Sequence, residues 1–131
     1  MERTGPRVVY LDTHVVVWLY AGLKEKLTER AASAIEAAQL RVSQMVRLEL
    51  QYLHEIRRIT VGPSVILNNL SASIGIEVSD TDLNGIVGVA LKIEWTRDVF
   101  DRLLTAEVIL VNAGFITADH HIRNHLEQAI W

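Results

Sequence analysis

Four acidic residues stand where carboxylates could share one site: Asp12, Glu49, Asp101 and Asp119. Two of them follow short apolar runs that are typical of strands, 8–11 and 115–117, and the other two fall in segments with a helical pattern. Carboxylate oxygens are the ligands that Mg²⁺ and Mn²⁺ prefer. Such a cation makes a bound water a better nucleophile and stabilises displacement at phosphorus. The acids therefore point to a phosphodiester substrate.

Each acid also has a simpler explanation. An aspartate at a strand-to-helix junction is commonly an N-cap, which would account for Asp12 or Asp119 alone. Asp98 and Asp101 are three residues apart, and one of them could be present simply because it complements a helix dipole. Glu49 differs, because we expect it to share a helix face with apolar residues, where an unpaired charge is costly. Those apolar neighbours are Met45, Tyr52 and Ile56.

The surrounding elements are expected to alternate between short strands and helices. The pattern predicts strands at 8–11, 40–43, 76–78 and 115–117. It predicts helices at 13–22, 28–39, 44–58, 63–74, 81–94 and 100–113, and a last helix that contains His120, His121 and His125. We expect Thr28 and either Ser79 or Asp80 to cap helices, Pro63 to lie in a first turn, and Gly114 to end a helix.

This order predicts an α/β fold, a three-layer α/β/α sandwich on a parallel sheet of four to five short strands. In such sheets ligands bind at the carboxyl ends of the strands, where Asp12 and Asp119 would lie. At 131 residues we expect one domain, 1–131.

Composition narrows the class of protein. Half of the residues are hydrophobic and 22% are charged, so the chain should fold. It has no cysteine, so a metal must be held by oxygen or imidazole. No apolar run is long enough to cross a membrane, and Met1–Arg7 has no signal-peptide core, so we expect a cytoplasmic protein. The net charge of -3 is unfavourable for a nucleic-acid partner unless carboxylates gather around a cation.

Four segments together resemble the motifs of PIN-domain toxins of the VapC type, in order and in spacing. They are Leu11-Asp12-Thr13-His14-Val15, Val42-Ser43 followed by Leu48-Glu49-Leu50, Thr96-Arg97-Asp98-Val99-Phe100-Asp101-Arg102-Leu103-Leu104, and Thr117-Ala118-Asp119. The third motif departs from the family, which often has histidine and proline where this chain has Thr96 and Val99. Neither position carries a carboxylate.

The resemblance implies a toxin of a toxin–antitoxin pair that cleaves RNA with Mg²⁺ or Mn²⁺. It assigns catalysis and metal binding to Asp12, Glu49, Asp101 and Asp119, with Asp98, Thr13 and Thr117 in supporting positions. It also implies a homodimer and a small antitoxin that lies over the site. The RNA target and the number of metal ions stay open.

Other functions fit the sequence less well. A haloacid dehalogenase phosphatase needs a second aspartate where this chain has His14, and a dinucleotide-binding domain needs a glycine-rich turn after the first strand. A catalytically silent PIN-like interaction module remains an alternative. His121 and His125 have the spacing of a metal-binding pair, but such residues on a terminal helix are usually solvated. Arg47, Arg57 and Arg58 could supply phosphate contacts.

Overall fold

The computed structural model describes residues 7–131. Five parallel strands form one sheet in the order β3-β2-β1-β4-β5. The strands are β1 (Val8–Leu11), β2 (Gln39–Val42), β3 (Glu77–Val78), β4 (Gly114–Ile116) and β5 (Ala129–Ile130). The expectation of four to five short parallel strands is confirmed. The expectation that Met1–Arg7 lacks a signal peptide concerns a segment that lies, except for Arg7, outside the described residues.

In residues 7–131, seven α-helices connect and cover the strands. They are α1 (Thr13–Ala21), α2 (Glu29–Ala37), α3 (Gln44–Glu55), α4 (Pro63–Ile74), α5 (Leu83–Ala90), α6 (Val99–Val111) and α7 (His120–His125). The parallel strands require crossover connections, and the helices cover the sheet in the expected three-layer α/β/α arrangement. Within the described residues, none of these helices is long and apolar enough to span a bilayer.

The strands are continuous apolar runs in the sequence because they are buried in the core. Val9, Tyr10 and Leu11 of β1 and Phe115 and Ile116 of β4 are all at most 1% exposed. Strands in the middle of a parallel sheet are covered on both faces, so every position favours an apolar residue. β1 is the central strand, and its carboxyl end lies next to that of β4.

Four expectations about the elements are wrong. Helix α5 begins at Leu83, because the Asp82 side chain accepts a hydrogen bond from Gly85 N and caps it in place of Ser79 or Asp80. Helix α6 ends at Asn112, which adopts the left-handed conformation. Gly114 instead begins β4, where a Cβ would lie 3.0 Å from the Ile130 side chain.

The other two wrong expectations concern the last strand and the buried face of α3. The run 115–117 is not the last strand, because β5 follows α7 and pairs with β4. On α3 the buried residues are Val46 and Leu50, whereas Tyr52 is 50% exposed. Glu49 therefore lies at the margin of the buried face, and its predicted apolar neighbours partly face solvent.

Candidate metal-binding site

The four predicted acids line one open cavity of about 270 Å³, which we call the acidic cavity. It lies at the edge of the sheet where the strands end, as the topology predicts. The lining residues are Asp12, His14, Trp18, Glu49, Asp101, Ala118 and Asp119. Of these, His14 is the only side chain that can carry positive charge. In the sequence, His14 is marked only by its position directly after Asp12.

Asp12 is held rigidly between two neighbouring strands. It follows β1 and caps α1, and its Oδ1 accepts a hydrogen bond of 2.8 Å from Thr13 N. Its Oδ2 accepts one of 2.6 Å from Thr117 Oγ1, which follows β4. Because each carboxylate oxygen has a second lone pair, the bonds fix the group and leave it able to accept a further partner. Asp12 is therefore an N-cap, as the simpler explanation expects, and it also lines the acidic cavity.

Glu49 reaches the cavity from the sixth position of α3, whose N-cap is Ser43. Its Oε1 accepts a hydrogen bond of 2.5 Å from Thr13 Oγ1. Thr13 thus contacts two of the acids, donating from its backbone to Asp12 and from its hydroxyl to Glu49. Thr13 and Thr117 are fully buried. Both hold carboxylates in place, and neither is among the residues that line the cavity.

Asp98 and Asp101 play different parts at the start of α6. Asp98 is the exposed N-cap, and its Oδ1 accepts a hydrogen bond of 2.9 Å from Asp101 N. Asp101 lines the cavity, whereas Asp98 does not. The capping bond therefore presents the Asp101 side chain to the other acids. Asp119 likewise caps α7, through a bond from Ile122 N to Oδ1, and also lines the cavity.

Burial and mutual repulsion disfavour the charged forms of these acids. Burial raises the pKa of Asp12, although the Thr117 and Thr13 bonds partly oppose it. Burial also raises the pKa of Glu49, against the hydrogen bond from Thr13. The pKa of Asp101 rises to about 7, first through burial and then through the charges of Asp98, Asp119, Asp12 and Glu49. A group of acids that resists ionisation is a place where a cation would be stabilised.

The donor set fits a hard divalent cation that keeps part of its water shell. Within residues 7–131, no three histidine or acidic side chains are already close enough to form a metal-binding group. Mg²⁺ usually retains several waters and takes only one or two carboxylates directly. The remaining acids can then bind through those waters. The carboxylates of the cavity therefore suit a hard divalent cation that is held partly through water.

The predicted histidines lie elsewhere. His121 Nε2 donates to Trp95 O, and His125 Nδ1 donates to His121 O, because a carbonyl oxygen can only accept. The rings of Trp95 and His125 are stacked with their planes 7° apart. Neither histidine lines the acidic cavity. The arginines that the sequence singled out on and after α3, Arg47, Arg57 and Arg58, do not line it either.

The protein is an α/β/α sandwich whose acidic cavity lies at the carboxyl ends of β1 and β4. Residues 9–125 match the model of the PIN domain, and the chain belongs to this family. PIN domains are generally nucleases.

A solved structure shows the same fold. The chain resembles the crystal structure of VapBC2 from Rickettsia felis bound to a DNA fragment from its promoter, with a TM-score of 0.61. The sequences are 15% identical, and the match covers 93% of this chain and 95% of that one. No curated protein sequence matches this chain.

Proposed function

We propose that the protein is a Mg²⁺- or Mn²⁺-dependent endoribonuclease that hydrolyses phosphodiester bonds and is the toxin of a toxin–antitoxin pair. The observation that carries the proposal is the convergence of Asp12, Glu49, Asp101 and Asp119 on one open cavity. Membership of the PIN family supports nuclease activity, and the motif resemblance supports RNA as substrate.

The chain's own residues would act by holding their carboxylates in fixed positions. When bound, Mg²⁺ or Mn²⁺ would supply an activated water and neutralise charge on the phosphate. Thr13 and Thr117 keep Asp12 and Glu49 oriented before substrate arrives, which lowers the cost of forming the site. Asp101, with a pKa of about 7, would release its proton as the cation enters.

Cleavage of a labelled RNA tests the proposal. We expect wild type to cut RNA with Mg²⁺ or Mn²⁺ and to leave DNA of the same sequence intact. Asp12→Asn and Asp101→Asn should each weaken stabilisation of the transition state by several kcal/mol. The cleavage rate should therefore fall roughly 10²–10³-fold. Asp80→Asn removes an exposed carboxylate outside the cavity and is the matched control.

Two outcomes would contradict the proposal. Equal activity in EDTA would exclude a metal-dependent reaction. Absence of cleavage of any RNA, with a folded protein and either metal, would favour the silent interaction module instead.

We further propose a homodimer formed through α5. Leu83, Val87 and Leu91 are spaced four residues apart and are 62%, 39% and 74% exposed. Val87 and Leu91, together with Val99, border an apolar cavity of about 190 Å³. A two-fold axis would place the same apolar stripe on both sides of an interface. Light scattering should give a dimer for wild type and a monomer for Leu91→Glu, and a monomeric wild type would refute this interface.

The antitoxin is proposed to cover the acidic cavity. Leu48 and Tyr52 on the same helix as Glu49, and Ile56 directly after that helix, are 54%, 50% and 44% exposed, so an apolar peptide has a surface beside the acids. We expect the product of the neighbouring reading frame to copurify and to suppress cleavage. Copurification without any loss of activity would place the partner elsewhere.

A further inference from the structure

A second cavity has the opposite chemical character. It has a volume of about 250 Å³, and we call it the basic cavity. Its lining residues are Arg30, His120, Arg123, Asn124, Ala129 and Trp131. Arg30 comes from α2, Arg123 and Asn124 from α7, and Trp131 follows β5. Of the described residues that line it, none is acidic, and every side chain except that of Ala129 can donate hydrogen bonds.

The two cavities are neighbours. Asp119 lines the acidic cavity, and the next residue, His120, lines the basic one. Trp18 lines the acidic cavity and Trp131 the basic one, and their ring centroids are 6.0 Å apart. β5 is parallel to β4 and beside it, so Trp131 and Thr117 follow their strands at the same edge of the sheet. A ligand that leaves the acidic cavity past Trp18 or Asp119 meets the basic cavity.

Phosphate is the chemical group that matches the basic cavity. The guanidinium of arginine presents paired donors that fit two phosphate oxygens, and an asparagine amide and an imidazole add further donors. The chain as a whole has a net charge of -3. Phosphate binding therefore depends on a local group of basic side chains of this kind.

We propose that the basic cavity binds a backbone phosphate of the RNA substrate that flanks the scissile one. The inference rests on the proposed function, and it adds the direction in which the RNA strand crosses the protein surface. The strand would pass from the acidic cavity, where it is cut, towards α2 and α7, and away from the arginines of α3. Because a phosphate contact carries no base information, the basic cavity should contribute equally to all sequences.

Binding of a labelled single-stranded RNA in the cleavage-deficient Asp12→Asn background tests the proposal without substrate loss. Fluorescence anisotropy is measured with Mg²⁺ at several salt concentrations from about 0.05 to about 0.2 M NaCl. Adding Arg30→Gln and Arg123→Gln should weaken binding about tenfold, the cost of a lost charge-assisted contact. The slope of log K against log salt should become shallower by about 0.7, the value for one phosphate of a single strand.

The matched control carries Arg47→Gln and Arg58→Gln, which remove the same charge from the other basic group. We expect its slope and affinity to stay at the background value. A further variant with Arg30→Lys and Arg123→Lys keeps the charge, so its slope should be retained while its affinity falls. Circular dichroism melting shows whether each variant is folded, and the lysine variant gives a second reading if the glutamine variant is not.

The results separate failure of this inference from failure of the proposed function. If wild type cuts RNA but the two glutamine substitutions leave both slope and affinity unchanged, the basic cavity does not bind the substrate. The same conclusion follows if inorganic phosphate raises the melting temperature through these arginines while RNA binding is unaffected, because the cavity would then hold a free anion. If wild type neither binds nor cuts RNA, the proposed function is wrong and this inference is wrong with it.

Discussion

Helix α6 carries two acids in opposite situations. Asp101, near its start, faces an open cavity shared with three other carboxylates. Glu107, further along the helix, is 1% exposed and accepts hydrogen bonds from Ser79 Oγ and Thr81 Oγ1, at 2.5 and 3.0 Å. The first group is crowded by charges of the same sign, and the second is surrounded by hydroxyl donors. The two acids are six residues apart.

This difference separates a carboxylate that faces an open cavity from one that holds the fold together. Burial alone does not mark a functional acid, because Glu107 is the more buried of the two. What marks Asp101 is that repulsion by the neighbouring acids adds to burial beside open space, and together burial and repulsion raise its pKa to about 7. Glu107 instead joins the segment after β3 to α6. Tyr10 extends this network, with its hydroxyl 3.5 Å from Thr81 Oγ1.

The largest expected effect follows from removing the satisfied acid. Glu107→Ala leaves the Ser79 and Thr81 hydroxyls buried without their acceptor and opens a cavity, so it should lower the free energy of unfolding by about 3 kcal/mol. Urea denaturation of the metal-free protein measures this. Asp101→Ala on the same helix is the control and should cost much less. If both variants lose the same stability, the distinction between the two acids does not hold.

The sequence singles out Glu49 as an acid on an apolar helix face, but it does not single out Glu107. Glu49 was selected as an acid on an apolar helix face, although its predicted neighbours Tyr52 and Ile56 prove to be exposed. The same reasoning, applied to the apolar segment around Glu107, would have identified a second buried acid. It would not have separated a structural role from a chemical one. That separation depends on hydroxyls 26 and 28 residues away in sequence.

The sequence predicts those elements of the fold that have a local sequence pattern of their own. Short β-branched runs and capping residues mark β1, β4 and most helices, and the parallel order follows from their alternation. The two-residue β5 carries no periodicity of its own and forms because β4 offers it a partner. No local sequence pattern predicts the basic cavity. Arg30 and Arg123 line it together only because the fold brings α2 and α7 close to each other.

A smaller effect is expected on the stabilisation that a bound metal ion gives, which should depend on Asp101 and not on Glu107. Mn²⁺ at about a hundred times its Kd should raise the free energy of unfolding by about 2.7 kcal/mol, because it binds only the folded state. Thermal melting with and without Mn²⁺ measures the shift. We expect Asp101→Asn to lose most of it. Glu107→Gln should melt at a lower temperature yet keep the same Mn²⁺-induced shift, and loss of that shift would connect Glu107 to the acidic cavity.

The smallest expected effect is a pH dependence of the metal-free protein. The ordinary pKa of Asp101 is 3.8 and its folded value is about 7, so between these values the folded state binds more protons than the unfolded chain. The free energy of unfolding therefore falls as pH rises through this window, the reverse of a carboxylate in a salt bridge. Contact with cavity water reduces the change to about 1 kcal/mol between about pH 5 and about pH 7.

Urea titrations in EDTA across this pH range measure the change, with Asp101→Asn as the comparison. Because asparagine does not titrate, its stability relative to wild type should increase as pH rises. Burial also raises the pKa of Asp12 and Glu49, so a residual dependence of the same sign should persist in the variant. Parallel curves for wild type and Asp101→Asn would show that Asp101 ionises normally. The four acids would then not be crowded enough to need a cation, and the contrast with Glu107 would rest on hydrogen bonding alone.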